Sequence, residues 1–596
     1  MTVLQALVGH YDRLVESGPA LHYGYSSQGI SYAVVLSTEG EIVDVMDIRD
    51  TASKSPRPNR ILVPGPVNRS VNIAPNFLWD KTAYSLGLVR DEATGEPTPA
   101  RRGEHDAFKH QHLELLAATE DKGLRALAAF LSAWKPDPEQ FTRLPHAQDM
   151  LDANVVFRLE GEREYIHDHA AGRRIWQDHL TTQGRAEALC LVTGELAPVE
   201  RLHPKIKGVR GAQSSGASIV SFNLDAFESF GRRQGANAPV SERAAFAYTT
   251  ALNAMLAPNS GHNIRVGDTT VVFWAEANLG DAAASAAESI FSILADPPPT
   301  DAAEGAKVRD KLEAVAEGRP IEEVQPEVRE DTRFFVLGLA PNASRLSIRF
   351  WHEDRIGAIY SRIAEHWKDL RLHPPAWTGA PALWTLLIET APPGKRRTDN
   401  IPPTLGGTLM RAILTGGRYP HSLFAATIAR MRADKDINGR RVAICKACLA
   451  RDHRLGFEKE DVSMSLNPDD TNAAYRLGRL FAVYESLQRA ALPGVNATIK
   501  DRYFGAASAT PASVFPLLER NSANHLASLR KGEKAGLAHW FDQQIDSILS
   551  GFATTFPRSL RLQEQGRFAI GYHHQRAYKR TAGETAQADA SAQEED

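Results

Sequence analysis

KGVRGAQSSGASIVSFNLDAFESFGRRQGANAPVSERAAFAYTTALNAML, residues Lys207 to Leu256, places a loop, an apolar run and a helical pattern one after another. The loop is basic and rich in Gly and Ser: Lys205 stands just ahead of it, and Lys207, Arg210, Gln213, Ser214, Ser215 and Gly216 lie within it. Glycines at 208, 211 and 216 let the backbone approach a ligand closely, while free N–H groups, hydroxyls and cations suit an anion such as a phosphate. The run Ala217 to Phe222 predicts a buried strand. Ser241-Glu242, after Pro239, marks a helix start, and Ala244, Ala245, Tyr248, Leu252 and Met255 follow at helical spacing.

Working outward toward the N-terminus, the alternation continues. Leu4, Leu7, Val8, Tyr11 and Leu14 share one face of an opening helix, and Tyr23 to Gly29 reads as a turn. Ile30 to Ile48 reads as a hairpin turning at Glu39-Gly40. From Thr51 to Leu88 comes a Pro-rich basic loop in which Lys54, Arg57, Arg60 and Arg69 meet no acid between Asp50 and Asp80. Such a loop is either a solvated connector or a stiff platform presenting cations, Asn72 and Asn76 to a duplex. Leu113 to Trp134 reads as one long helix, Val155 to Leu159 and Ala188 to Val192 as strands. His105, His110 and His112 read as a solvated polar helix face.

Toward the C-terminus, Asn263 to Glu276 predicts a hairpin around Gly267-Asp268, and Phe334 to Ala340 with Leu346 to Phe350 predicts a second. Beyond Trp351 the pattern becomes helical, with Leu477, Leu480, Phe481, Tyr484 and Leu487 at helical spacing. The chain therefore reads as α+β with a C-terminal all-helical bundle. The expected parts are 1–140 (α+β with the basic loop), 141–350 (central α+β), 351–463 (mostly helical connection), 464–580 (helical bundle) and 581–596 (acidic disordered tail).

At 596 residues the chain can bury several cores without staples. Three cysteines argue for a reducing compartment, and no apolar stretch approaches the length of a membrane span, so the expected location is cytoplasmic. The net charge is −3, and the acidic tail alone supplies five acids, leaving +2 on the remainder. Any nucleic-acid surface must then be a local patch.

Several strings carry a family resemblance: NRSVNIAPNFLWDK (Asn68 to Lys81), LCLVTGE (Leu189 to Glu195), HPKIKGVRGAQSSGASIVSFN (His203 to Asn223), NAPVSERAAFAYTTALN (Asn237 to Asn253) and FFVLGLAPNASRLSIRFW (Phe334 to Trp351). Together they resemble the large subunit of the type I-C CRISPR Cascade, an RNA-guided surveillance complex of antiviral defence, over almost the whole chain. The resemblance implies a non-catalytic subunit of a ribonucleoprotein complex that recognises the PAM, helps open the duplex and stabilises the R-loop. Implied partners are CRISPR RNA, target double-stranded DNA with its displaced strand, the backbone and guide-processing subunits, small subunits, and a recruited helicase–nuclease. No cofactor is implied. It turns the basic loop toward DNA, with Lys54 and Arg57 suited to phosphates and Asn72 to a groove edge.

Besides the His105, His110 and His112 set, two constellations are weighed as enzymatic or metal sites. His167-Asp168-His169 contains the dipeptide of metal-dependent phosphohydrolases, which gives the alternative of a nuclease subunit using His167 and Asp168. Cys445-x-x-Cys448 with His453 has the spacing of half a zinc site, and Cys190 is the only other cysteine. No phosphate-binding GxxxxGK[ST] loop, GxSxG elbow or HExxH is present.

Relatives of the resembled family make a second, shorter protein from an internal start, and Met464 stands directly before the C-terminal helical segment. Lys459-Glu460, three codons before Met464 is reached, can be encoded as AAGGAG, a strong ribosome-binding sequence. From Met464 to Arg580 the chain carries 15 Lys and Arg against 9 Asp and Glu. That excess suits a displaced single strand, with Arg476, Arg479, Arg530, Lys531 and Lys534 as candidate contacts.

Overall fold

The computed structural model describes residues 1–16, 22–50, 56–67, 73–100, 103–181, 187–277, 282–295, 310–311, 313–315, 317, 319–324, 326–395, 397–531, 535–552 and 555–578. It is α+β, with 48% helix and 16% strand. Two compact units divide the chain. One holds Thr2–Pro204 with Val220–Ala251, the other Met1, Lys205–Ile219 and Leu252–Asp596. These limits differ from the composition breaks at 140, 350 and 463. Lys54, Arg69, Asn72, Lys534 and the acidic tail 581–596 lie outside the described residues.

In the N-terminal unit, α1 (Val3–Glu16) is followed by β1 (Tyr25–Ile30), β2 (Tyr32–Leu36), β3 (Ile42–Asp47), β4 (Asn59–Pro64) and β5 (Trp79–Lys81). The predicted hairpin is β2 and β3, paired antiparallel from Tyr32 opposite Asp47. β8 (Asn154–Leu159) runs parallel to β2 on its other side and pairs antiparallel with β5. Every residue of β2 is buried, as expected of a central strand covered on both faces. The expected turn at Tyr23 to Gly29 is instead mostly β1, and it pairs with β4, inside the stretch read as a Pro-rich loop. Two of the stretch's five prolines, Pro58 and Pro64, flank or end β4, the strand positions that tolerate proline.

The expected helix from Leu113 to Trp134 is two helices, α2 (Glu104–Leu115) and α3 (Lys122–Ala133). Asp121 causes the restart, because its carboxylate accepts the Leu124 N–H at 3.0 Å and caps α3. His105 and His112 are buried, correcting the solvated face expected of them, whereas His110 is exposed. His112 accepts the Leu78 N–H at Nε2 and donates from Nδ1 to the Phe108 carbonyl, and burial pushes its pKa down to about 4. After α4 (Ala170–Thr181), the short strands β9 (Glu187–Leu189) and β10 (Leu196–Pro198) form a hairpin like that of β6 (Leu88–Arg90) and β7 (Pro97–Pro99).

The two small hairpins repeat one pattern. Asp91 and Cys190 each begin a segment with Thr-Gly-Glu at the third to fifth following positions and Pro at the eighth. Asp91 N–H donates to Glu96 O and Gly95 N–H to Asp91 O; Cys190 with Glu195 and Gly194 makes the same two bonds. Asp91 Oδ1 accepts the Thr94 N–H, and Cys190 Sγ accepts the Thr193 N–H in the same place. Gly95 and Gly194 have φ of 74° and 76°, which is why glycine stands there.

Helix α5 (Glu242–Met255) begins where predicted, Ser241 Oγ accepting the Ala244 N–H at 3.2 Å. All five residues of its expected apolar face are buried. The predicted strand Ala217 to Phe222 is not formed. Only Ala217 and Ser218 make bridges, to Ile206 and Arg345, and the chain then leaves the ladder.

The C-terminal unit carries a four-stranded meander, β11 (Asn263–Val266), β12 (Thr269–Ala275), β13 (Arg333–Asn342) and β14 (Arg345–Arg355), each antiparallel to the next. β12 is buried throughout. Helix α6 (Ala282–Ala295) lies between β12 and β13 in sequence. Then follow α7 (Ile356–Leu370), α8 (Leu405–Thr415), α9 (His421–Asp434), α10 (Gly439–Arg454), α11 (Ala473–Ala491), α12 (Ile499–Ala509), α13 (Pro511–Arg530), α14 (Ala535–Leu549) and α15 (Leu562–Ala577). One buried cluster runs from Ile264 to Tyr572, so sheet and helices share a core.

Helices α11 and α15 touch backbone to backbone. A Cβ on Gly478 would meet Phe568 O at 2.0 Å, and one on Gly571 would meet Tyr475 O at 2.1 Å. Beside that contact Tyr572 Oη donates to Glu485, which also accepts the Thr498 hydroxyl at 2.9 Å. The carboxylate is buried, which raises its pKa, but the donors from Tyr572, Arg489 and Thr498 outweigh burial and hold it below the usual range.

Candidate nucleic-acid interface

The Gly-rich loop keeps its cations uncommitted. Lys207, Arg210, Gln213, Ser214 and Ser215 are exposed, and Lys205 donates to Ser218 Oγ at 3.0 Å. Gly208, Gly211 and Gly216 have φ of 92°, 83° and 97°, and a Cβ on Gly208 would meet Leu256 O at 2.7 Å. Asn253 of α5 fixes the loop by accepting the Lys207 N–H at 2.8 Å and donating to Lys205 O. Between loop and helix end lies an open cavity of about 610 Å³, lined by Lys205, Lys207, Gly208, Ser215, Asn253 and Leu256 among others.

A cation missed in the sequence reading belongs beside this loop. Arg265 on β11 is exposed, and its pKa is lowered by burial and then by the neighbouring Arg210 charge, with Asp399 offsetting part. Neighbouring guanidiniums of like charge are relieved by an anion. The signal was the hairpin itself, whose alternation puts Arg265 on the face opposite Ile264 and Val266.

In the N-terminal unit, Arg57 and Arg60 are exposed without a carboxylate partner, and Arg60 sits on β4 opposite Gly29. Asn76 is not available as a groove reader. It is 4% exposed, its Oδ1 accepts the Val67 N–H at 3.0 Å, and its own N–H donates to Asp80.

The C-terminal candidates separate in the same way. Arg479 is buried and donates to Gln575 Oε1 and Pro468 O, so it builds the bundle instead of facing a strand. Arg476 donates to the carbonyls of Asp470 and Gly551. Arg530 is exposed but paired with Asp542. Lys531 is exposed and free of carboxylates. Arg502, Arg520 and Arg558, also exposed and free, were passed over; Arg502 and Arg520 have no acid three or four residues away on their helices.

His167 and Asp168 lie 3.7 Å apart. His167 is buried, stacks on Tyr165 at 5.4 Å, and is pushed down to about 3 by burial. His169 is held by Asp121 at 2.9 Å and Glu162 at 3.1 Å. Cys445 and Cys448 are buried on α10, where burial raises both thiol pKa values, and His453 is bound to Glu458 O. Among the described residues no group of three or more His, Cys, Asp or Glu is arranged to hold a metal.

The sequence model of the family described as CRISPR-associated protein (Cas_Csd1) matches residues 7–579. The chain belongs to that family. It is thus a CRISPR protein of the Cascade-associated kind. No curated protein matches the chain. Among the described residues of this Csd1-family chain, no helix is long and apolar enough to cross a membrane.

Proposed function

We propose that this chain is the large subunit of a type I-C Cascade, which reads the PAM on duplex DNA, assists opening and stabilises the R-loop, leaving cleavage to a recruited helicase–nuclease. The carrying observation is a glycine-fixed loop beside an open cavity, with Lys207, Arg210 and the neighbouring Arg265 all exposed, a set of cations that suits a bound phosphate. Base pairing with the guide RNA reads the target, so the protein needs only a short duplex contact and grip on separated strands. Its backbone subunits, guide-processing subunit and small subunits would complete the complex.

The test is binding of PAM-containing duplex by the assembled complex, with and without this subunit, across a salt series. Lys207→Glu or Arg210→Glu is expected to cost on the order of 1 kcal/mol or more in DNA or guide affinity, since attraction becomes repulsion. Arg57→Ala is expected to weaken all duplexes alike and flatten the salt slope, while Asn72→Ala impairs discrimination between PAM and other duplexes. Equal binding of PAM and non-PAM duplexes by the unaltered complex would sink the PAM-reading role.

A further inference from the structure

Phe230 is 98% exposed, the most exposed large apolar side chain among the described residues. It stands at the tip of a two-residue turn closed by the Ser229–Arg232 bridge, with the Arg232 N–H donating to Ser229 O at 2.9 Å. Phe230 has φ of 52° and Gly231 φ of 71°, so both central residues are left-handed. Asn, Asp and Gly are the residues that such a turn favours, and a phenylalanine there is kept against its backbone preference.

The base of the turn is held firmly. Asn237 accepts the Ser229 N–H at 3.1 Å and donates its amide hydrogens to Arg232 O at 3.0 Å and Gln234 O at 3.1 Å. Arg201 reaches the same base by donating to Gln234 Oε1. The ring itself touches no core. Arg232 and Arg201 are exposed and unpaired with carboxylates, whereas Arg233 lies 3.6 Å from Glu228. A rigid aromatic tip whose base carries two exposed guanidiniums, neither paired with a carboxylate, has the parts of a nucleotide contact: a flat face for a base and planar cations for the phosphates beside it.

We propose that Phe230 is a stacking site for an unpaired nucleobase, with Arg201 and Arg232 on the flanking phosphates. The proposal rests on the reading of the chain as a subunit that grips opened nucleic acid, and it names the residue that does so in this turn. The unpaired base can come from the displaced DNA strand or from a single-stranded part of the guide RNA. The guanidiniums favour a polyanion over an apolar pocket on another subunit.

The experiment uses the assembled complex with 2-aminopurine placed base by base, in one arm in the displaced strand of pre-opened bubble DNA and in the other in the guide. Stacking on Phe230 is expected to quench one position. Phe230→Asn, which suits the left-handed backbone and so keeps the turn, should restore its fluorescence and weaken bubble-DNA or guide affinity about tenfold. Phe230→Trp should retain both. The arm that loses quenching identifies the strand. Unchanged fluorescence and affinity in both arms for Phe230→Asn would overturn the site. So would failure of that variant to join the complex, which would make the ring an anchor for a protein partner. Bubble DNA needs no PAM reading, so equal binding of PAM and non-PAM duplexes would count against the proposed function alone.

Discussion

Changing the Met464 codon to one that cannot start translation is expected to remove entirely a second product, Met464 to Asp596, that otherwise co-purifies with the complex in several copies. Its mass would be about 15 kDa by its share of the 65.4 kDa chain. DNA binding should weaken and return when the segment is supplied separately. A single full-length species in the intact complex would refute the internal start. The fold suits such a product in part. Asn472 caps α11 by accepting the Ala474 and Tyr475 N–H groups, so the first helix after Met464 needs nothing upstream to begin. The face of α15 is less independent. Gly566 abuts Phe424 and Leu449, and Arg567 donates to the carbonyls of Glu460 and Asp461. A separate product leaves that face bare, which favours a bound state over a free one.

Gly571→Ala and Gly478→Ala are each expected to destabilise the C-terminal unit by about 3 kcal/mol, read as a lower midpoint of thermal unfolding. The added methyl meets a carbonyl oxygen of the facing helix, and a backbone cannot swing aside as a side chain can. Gly505→Ala on α12 is the control. Its nearest neighbour is Arg432 Nε at 3.7 Å, an ordinary contact, so the better helix propensity of alanine should stabilise by about 0.5–1 kcal/mol. Equal effects at all three positions would show that the close crossing carries no special weight.

Local signals were read well where they were complete within a few residues. The β2–β3 hairpin has its turn and both strands inside Ile30 to Ile48, and α5 carries its cap and its apolar face together. What failed depended on distant partners. β1 reads as a turn because its strand partner β4 lies inside a Pro-rich stretch, and Ala217 to Phe222 looks apolar enough for a strand but finds only two bridging positions. The repeated hairpin was written in the sequence as Thr-Gly-Glu and Pro at matched spacing after Asp91 and Cys190, yet the differing first residue hid it. At the candidate interface the residue types were legible but their availability was not. Nothing near Arg479 in sequence announces Gln575, and nothing near Asn76 announces that Val67 will occupy its carbonyl. Arg265 escaped notice because its neighbour Arg210 lies on another element.

The clasp between Gly478 and Gly571 also sets an order of events during synthesis. Its two halves are the first and last helices after Met464, so this contact spans nearly the whole segment and has a high sequence separation. Contacts of that kind form late, because chain closure must precede any return from them. The helices between can gather as they leave the ribosome, but the clasp must wait until α15 has been made. With or without an internal start at Met464, the segment is expected to end its folding on the same step.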